Sequence, residues 1–237
     1  AGTVQLANGI EGAPTDLSSS SHSLSLNGDT THTYVTPFAQ GQGGSVLFYN
    51  AGYHYMQVAS STDFTLGTGD FTIEFWAYPS NFTNRGTFYD SRPSSGTTGI
   101  TIGHEASSGE IRVYMNASSG SDIAVQSTGL VTGKWQHIAV TRASGTVKLY
   151  IDGIEKDSGT AADDMNNTNA VNIGYRTNTS SSYNYYTGYM SNVRVVKGST
   201  VYTPSNVFAG STSFDGNGDY LLTATNSNLV IGSNDFT

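Results

Sequence analysis

The residues best suited to chemistry gather in one short stretch. Tyr183, Tyr185 and Tyr186, with Arg176, Asn178 and Asn184, form the densest combination of aromatic and hydrogen-bonding side chains in the chain. Tyrosine rings lie against the apolar faces of sugars while amide and guanidinium groups bond to their hydroxyls, so carbohydrate recognition is the chemistry this cluster offers. Tyrosine also covers sheet edges well, and a scaffold role for the same rings stays open. Arg92, His104 and Tyr114 are further candidates for the same rim, although spacing alone does not place them.

Catalysis is harder to build. A glycoside hydrolase needs two carboxylates flanking the scissile bond. The chain holds five Glu; Glu74 has no second acid on its strand, and Glu110 and Glu155 are read as solitary too, which predicts solvated or singly hydrogen-bonded surface groups. No Gly-x-Ser-x-Gly motif occurs and the five His are scattered, so a nucleophilic hydrolase is not supported either. His137, close to Trp135, is expected to be a structural side chain bonded to a neighbouring strand. The reading is therefore of a protein that is not an enzyme.

Calcium is the cofactor for which the sequence offers ligands, because it takes six to eight oxygens that Asp and Asn loops can supply. Asp215, Asp219 and Asp63 are the weak candidates, with Asp90, Asp122, Asp163 and Asp164 behind them. Ordinary turn chemistry is the competing explanation for the same residues.

These side chains need a scaffold, and the composition narrows it. Charged residues make up 12% of 237, about half of what a soluble globular chain carries, so the surface is polar rather than ionic. With 10 Lys and Arg against 18 Asp and Glu, net charge −8, there is no basic stripe to neutralise phosphates, which argues against nucleic acid. No apolar run approaches the ~20 residues that would span a bilayer, so membrane insertion is not expected. Cysteine is absent, which removes disulfides and thiolate sites and leaves the redox compartment open. The chain begins at Ala1 without a signal peptide, as a processed or excised piece would.

The scaffold itself is legible in Gly133–Gly153, GKWQHIAVTRASGTVKLYIDG. Two alternating runs, Trp135–Thr141 and Val147–Ile151, flank Ala143-Ser144-Gly145, and the turn pair Asp152-Gly153 follows at once, which predicts a hairpin inside a meander. Ile138, Val140, Val147, Leu149 and Ile151 share one face, because side chains two apart on a strand point the same way. Further strands are predicted at Ser45–Tyr49, Tyr53–Ala59, Phe71–Tyr78, Thr87–Asp90, Ile100–Gly103, Ile111–Met115, Ile123–Gln126, Val171–Tyr175 and Tyr189–Val196. Many short strands with Gly, Asn, Asp and Ser turns, and no helical period, predict an all-β antiparallel sandwich. In the central strand Phe71, Ile73 and Phe75 are expected to face inward, with Trp76 and Tyr78 outward under a loop.

Four strings, DFTIEFWAYP (Asp70–Pro79), KWQHIAVTRASGTVKLYIDG (Lys134–Gly153), NIGY (Asn172–Tyr175) and YTGYMSNVRVVKG (Tyr186–Gly198), fall in an order and spacing that resembles the laminin-G-like, concanavalin-A-like lectin/glucanase jelly-roll domains. The resemblance covers about residues 44–205 and is closest to the tandem type found in phage tail fibres and bacterial surface proteins. It implies a two-sheet jelly roll used mostly to bind carbohydrate or protein, in some members with a calcium ion at the rim. Relatives often carry Asp-Glu near the final strand where this chain has Ser191-Asn192, which weakens the case for calcium.

The C-terminus repeats an earlier part of the chain. Tyr220–Thr237 aligns with Tyr55–Thr72 at a constant offset of 165 residues, and both copies end in Asp-Phe-Thr. The organisation expected is an N-terminal arm or linker over 1–43, a laminin-G-like sandwich over 44–209, and the start of a second tandem repeat over 210–237. Function is then expected in a binding or adhesion module of a repetitive extracellular, cell-surface or virion fibre protein, with a cell-surface glycan or receptor protein and neighbouring copies of itself as partners. The alternative is a structural building block assembled through its terminal arms without sugar binding.

Overall fold

The computed structural model describes residues 3–7, 13–38, 43–49, 54–92, 98–115, 123–176 and 185–200. Among them sixteen strands follow in chain order: β1 (Thr3–Ala7), β2 (Thr15–Asp16), β3 (Leu24–Asn27), β4 (Thr31–Thr33), β5 (Ser45–Phe48), β6 (Tyr55–Val58), β7 (Phe71–Pro79) and β8 (Gly86–Asp90). The second half supplies β9 (Ile100–His104), β10 (Ile111–Met115), β11 (Ile123–Ser127), β12 (Gln136–Ala143), β13 (Thr146–Ile151), β14 (Ile154–Thr160), β15 (Val171–Ile173) and β16 (Gly188–Lys197). A 3-10 turn, Thr62–Phe64, separates β6 from β7. The fold is an all-β, two-sheet antiparallel jelly-roll sandwich.

The first sheet has nine strands, ordered β14-β13-β12-β7-β16 and then divided along the far edge of β16. Gly188–Met190 pair with β5, which carries β4, while Val193–Val196 pair with β1, which carries β2. Between the two a bulge in β16 shifts its register against β7 between Ser191 and Arg194. Asn192 takes φ +46° there, a left-handed conformation that Asn tolerates better than most residues. The second sheet has seven strands, ordered β11-β10-β9-β8-β15-β6-β3.

The hairpin of β12 and β13 has the register that alternation demands, Ile138 opposite Ile151 and Val140 opposite Leu149. All five apolar residues expected on its face are at most 2% exposed. Ser144 and Gly145 have φ +47° and +80°, and Asp152 and Gly153 have +49° and +81°, so both turns are of the two-residue type whose twist matches that of the strands. In β7, Phe71, Ile73 and Phe75 are fully buried, and facing them from the second sheet are side chains such as Phe88, Ile100, Ile102, Ile111 and Val113. The loop over Trp76 is the segment that carries Phe38, whose ring meets the indole edge-on at 5.9 Å.

Residues 13–38, within the stretch expected as an arm, are woven into the sandwich. β3 pairs with β6 in the seven-stranded sheet, and β4 pairs with β5 in the nine-stranded one. His22 clasps this segment to the 3-10 turn, with Nδ1 2.7 Å from Asp16 Oδ2 and Nε2 3.2 Å from Asp63 Oδ2.

Glu74 corrects the expectation of a solvated acid. It lies on the outer face of β7 but is only 7% exposed, because β12 and β16 place His137 and Arg194 beside it. Arg194 Nε donates to Glu74 Oε1, and His137 Nε2 stands 3.6 Å from Oε2. A carboxylate in the centre of a wide sheet is covered by its cross-strand neighbours, and charge pairing meets the cost of that burial. His137 also meets the Trp76 ring at a tilt of 59°, with centroids 5.1 Å apart.

Candidate functional site

Alternation also decides which side chains of the seven-stranded sheet avoid the core. On β9 Ile100 and Ile102 point inward, so Thr101 and Gly103 point outward; on β10 Ile111, Val113 and Met115 are buried, so Arg112 and Tyr114 point outward. Pairing aligns Thr101 with Tyr114 and Gly103 with Arg112, and brings Asp90 of β8 beside Thr101 and Asn172 of β15 beside Asp90. A polar outer face results, running from Gln57, whose Nε2 donates to Asn172 Oδ1 at 2.9 Å, across to Arg112.

A shallow cleft opens in this face, lined by Arg85, Gly86, Thr87, Thr101, Gly103, His104, Glu105, Arg112, Tyr114 and Arg176. Gly103 makes the hollow possible, since a Cβ there would sit 2.6 Å from the carbonyl oxygen of Gly86. Glu105 is its hub. It receives Arg85 Nε at 2.7 Å, Arg112 Nη1 at 3.0 Å and the Tyr114 hydroxyl at 3.3 Å, while Arg112 Nε donates to Glu110 at 2.5 Å. Arg176 lies over the Tyr114 ring, 5.9 Å from its centre. Asp90 is fully buried and accepts from Thr101 Oγ1 and from Arg92 Nε, the latter at 3.0 Å.

Electrostatics follow from this crowding. Burial, then repulsion from Arg92, pushes Arg176 below the usual arginine range, with Asp90 and Tyr114 acting the other way. Burial likewise lowers His104, against the carbonyl and charge of Glu105, so the imidazole is neutral at pH 7. Its Nδ1 donates to the Glu105 carbonyl at 3.2 Å, which leaves Nε2 as the unprotonated nitrogen.

The sequence-expected residues divide. Arg176 lines the cleft, together with Tyr114 and His104, and Arg92 lies alongside through Asp90. Tyr185 stands at the neighbouring end, 6% exposed, stacked on Tyr175 at 4.6 Å and 13°, with Tyr55 5.2 Å from Tyr175. Tyr186 is different: it is fully buried between Phe48 and Phe88, its hydroxyl donating to the Tyr189 carbonyl at 3.1 Å. Its ring is core scaffold and cannot meet a ligand, because antiparallel pairing to Tyr175 turns the next residue inward. Tyr183, Asn178 and Asn184 lie outside the described residues, as do Asp215 and Asp219.

Asp63, the one of the three foremost calcium candidates among the described residues, is held by His22 and by Ser20 Oγ at 2.7 Å, and the imidazole bridges it to Asp16. Among the described residues no group of three or more His, Cys, Asp or Glu is arranged to hold a metal.

Sequence reasoning missed Arg85, Arg112, Glu105 and Thr87. The signal was present, since Arg112 and Tyr114 are the polar members of an alternating strand, but alternation does not say which outer faces are hollow. It also passed over Trp135, Tyr78 and Tyr189, three half-buried rings within 6.4 Å of one another on the outer face of the nine-stranded sheet. That cluster offers rings, whereas hydrogen-bonding groups converge on the cleft.

Comparison with known proteins bears on this geometry. The model of a family described as the concanavalin A-like lectin/glucanases superfamily matches residues 50–207. No curated protein sequence is significantly similar. Among solved structures, the botulinum neurotoxin serotype G binding domain superposes with a TM-score of 0.66 at 14% identity, covering 83% of this chain and 48% of that one. The serotype D binding domain gives 0.65 at 16%, covering 84% and 49%. The chain thus spans about half the length of these structures, and at such identity the likeness is one of fold.

Proposed function

We propose that this chain, which belongs to the concanavalin A-like lectin/glucanases superfamily, is a non-catalytic module that binds carbohydrate on the outer face of its seven-stranded sheet. The observation that carries the reading is the glycine-floored cleft, where Tyr114, Arg112, Arg176, Thr87 and Thr101 converge beside the Tyr175–Tyr185 stack. Ring faces beside a fan of hydrogen-bond donors suit a saccharide, which has apolar faces and a hydroxyl rim. The receptor-binding domains among the fold neighbours are compatible with such a use.

The setting proposed is a repetitive extracellular, cell-surface or virion fibre protein. There the second copy of the Tyr55–Thr72 stretch would belong to a following domain, and weak sites would gain avidity by about 10²–10⁴. The same repeat also fits a structural building block without sugar binding. A glycan array at high protein density tests the first reading. Binding abolished by Tyr114→Ala and kept by Trp135→Ala, on the opposite face, supports it; no glycan bound, with concentration-dependent polymers in light scattering, replaces it with the structural role.

A further inference from the structure

The cleft has an uneven chemistry. Four of the six arginines in a chain of net charge −8, Arg85, Arg92, Arg112 and Arg176, collect at this one face, against three carboxylates, Asp90, Glu105 and Glu110. Each carboxylate already receives hydrogen bonds from the protein. Asp90 holds Arg92 and Thr101, Glu105 holds Arg85, Arg112 and Tyr114, and Glu110 holds Arg112. Donors, by contrast, are left over. Arg112 uses Nε and Nη1 on carboxylates and also bonds the Tyr114 hydroxyl, Arg85 uses Nε, and Arg92 Nη2 is buried with no hydrogen-bond partner among the described residues, while each guanidinium carries five N–H donors. A neutral sugar hydroxyl wants an acceptor as often as a donor. This site presents mainly planar N–H donors, whose fork suits a carboxylate; the in-chain pairs at 2.5–3.0 Å each engage one nitrogen rather than the whole fork.

We infer that the cleft selects saccharides that carry a carboxylate, the acidic-sugar class, with Arg112, Arg85 and Arg176 receiving the carboxylate and Tyr114 and Thr101 flanking the ring. This rests on the carbohydrate reading above and adds the charge of the ligand to it. Crowding of guanidinium groups around Arg176 is relieved when such an anion enters. Arg85, with a side chain 53% exposed, is the group that an approaching ligand meets first.

The test is a titration of the whole chain with oligogalacturonate, oligomannuronate and sialyllactose, each beside its methyl ester, and with neutral lactose and cellotetraose. The expected result is binding of at least one acid about tenfold or more tighter than its ester, the scale of one charge-assisted pair. The affinity should fall as salt rises from 0.05 to 0.5 M. Arg112→Gln should weaken binding about tenfold. Arg85→Gln, at an exposed position where folding is not at risk, should weaken it about threefold, with an unchanged melting profile as the control. Equal binding of acids and esters overturns the inference and leaves the carbohydrate reading standing. Equal competition by free acetate or citrate overturns it as well, since the site then takes an anion rather than a sugar. Binding of no saccharide, acidic or neutral, removes the carbohydrate reading itself.

Discussion

Arg142 shows how far a residue's role can lie from what its type suggests. In an alternating hairpin an arginine reads as a surface charge, yet it is fully buried, its register opposite Val147 placing it on the core side at the sheet's end. Its guanidinium donates to the carbonyls of Gly67, Gly69 and Asp163 at 2.6–3.0 Å and lies over Phe71 at 5.0 Å, tying two loops to one strand. Arg142→Ala would leave those acceptors unsatisfied and is expected to cost about 3–5 kcal/mol in urea unfolding, with Arg142→Lys intermediate because an ammonium lacks the fork. His104 gives a pH dependence. Burial holds its folded pKa below the ordinary 6.5, so its contribution is intact above that value and is lost as pH falls, when the unfolded chain takes up the proton more readily. The melting temperature should therefore drop between pH 7 and pH 5, and His104→Phe, among Phe82, Phe88 and Tyr186, should shrink that drop. His137, lowered first by burial and raised by Glu74, supplies the remainder.

At the scale of elements, legibility tracked burial. Strands with one face in the core, such as β7, β10, β12 and β13, announce themselves by alternation, and their sequence-expected limits agree with the structure to within two residues. β14 did not: IEKDSGT has no apolar face because it is an exposed edge strand, held by its ladder to β13 and by Gln126 N donating to Asp157 at 2.8 Å. β2, two residues at the border of its sheet, was hidden for the same reason, since backbone pairing at an edge leaves little trace in side-chain type. Half of the candidate site was legible as residue types, Arg176, Tyr185, Tyr114 and His104. Their assembly depends on which strands neighbour which, and a single sequence does not record that. Gly188 is a position where backbone alone decides. With φ +142° and a would-be Cβ against the Tyr78 carbonyl and 2.7 Å from the Tyr186 hydroxyl, Gly188→Ala is expected to lose more than about 1 kcal/mol, measured by thermal unfolding.

For the whole molecule, the repeat makes a prediction of its own. In the first copy Met56, Val58, Phe64, Leu66 and Phe71 are all core residues, and Asp70 Oδ1 accepts from Ser144 N at 2.8 Å. Every slot that the matching Leu221, Thr223, Leu229, Ile231 and Phe236 would need is thus filled. Removing residues 210–237 should leave the sandwich's melting temperature unchanged; a fall of several degrees by calorimetry would mean that the tail is part of this domain. The divided edge of β16 has a consequence at the same scale. Because the bulge at Asn192 sends β5 and β1 to separate halves of one strand, the sheet ends in two short borders, β4 with three residues and β2 with two, rather than in one long open ladder. Short, offset borders are poor templates for a neighbour's strand. At the high local concentration of a tandem array, the fork at Asn192 would then act as protection against aggregation, keeping adjacent sandwiches from zipping into a continuous sheet.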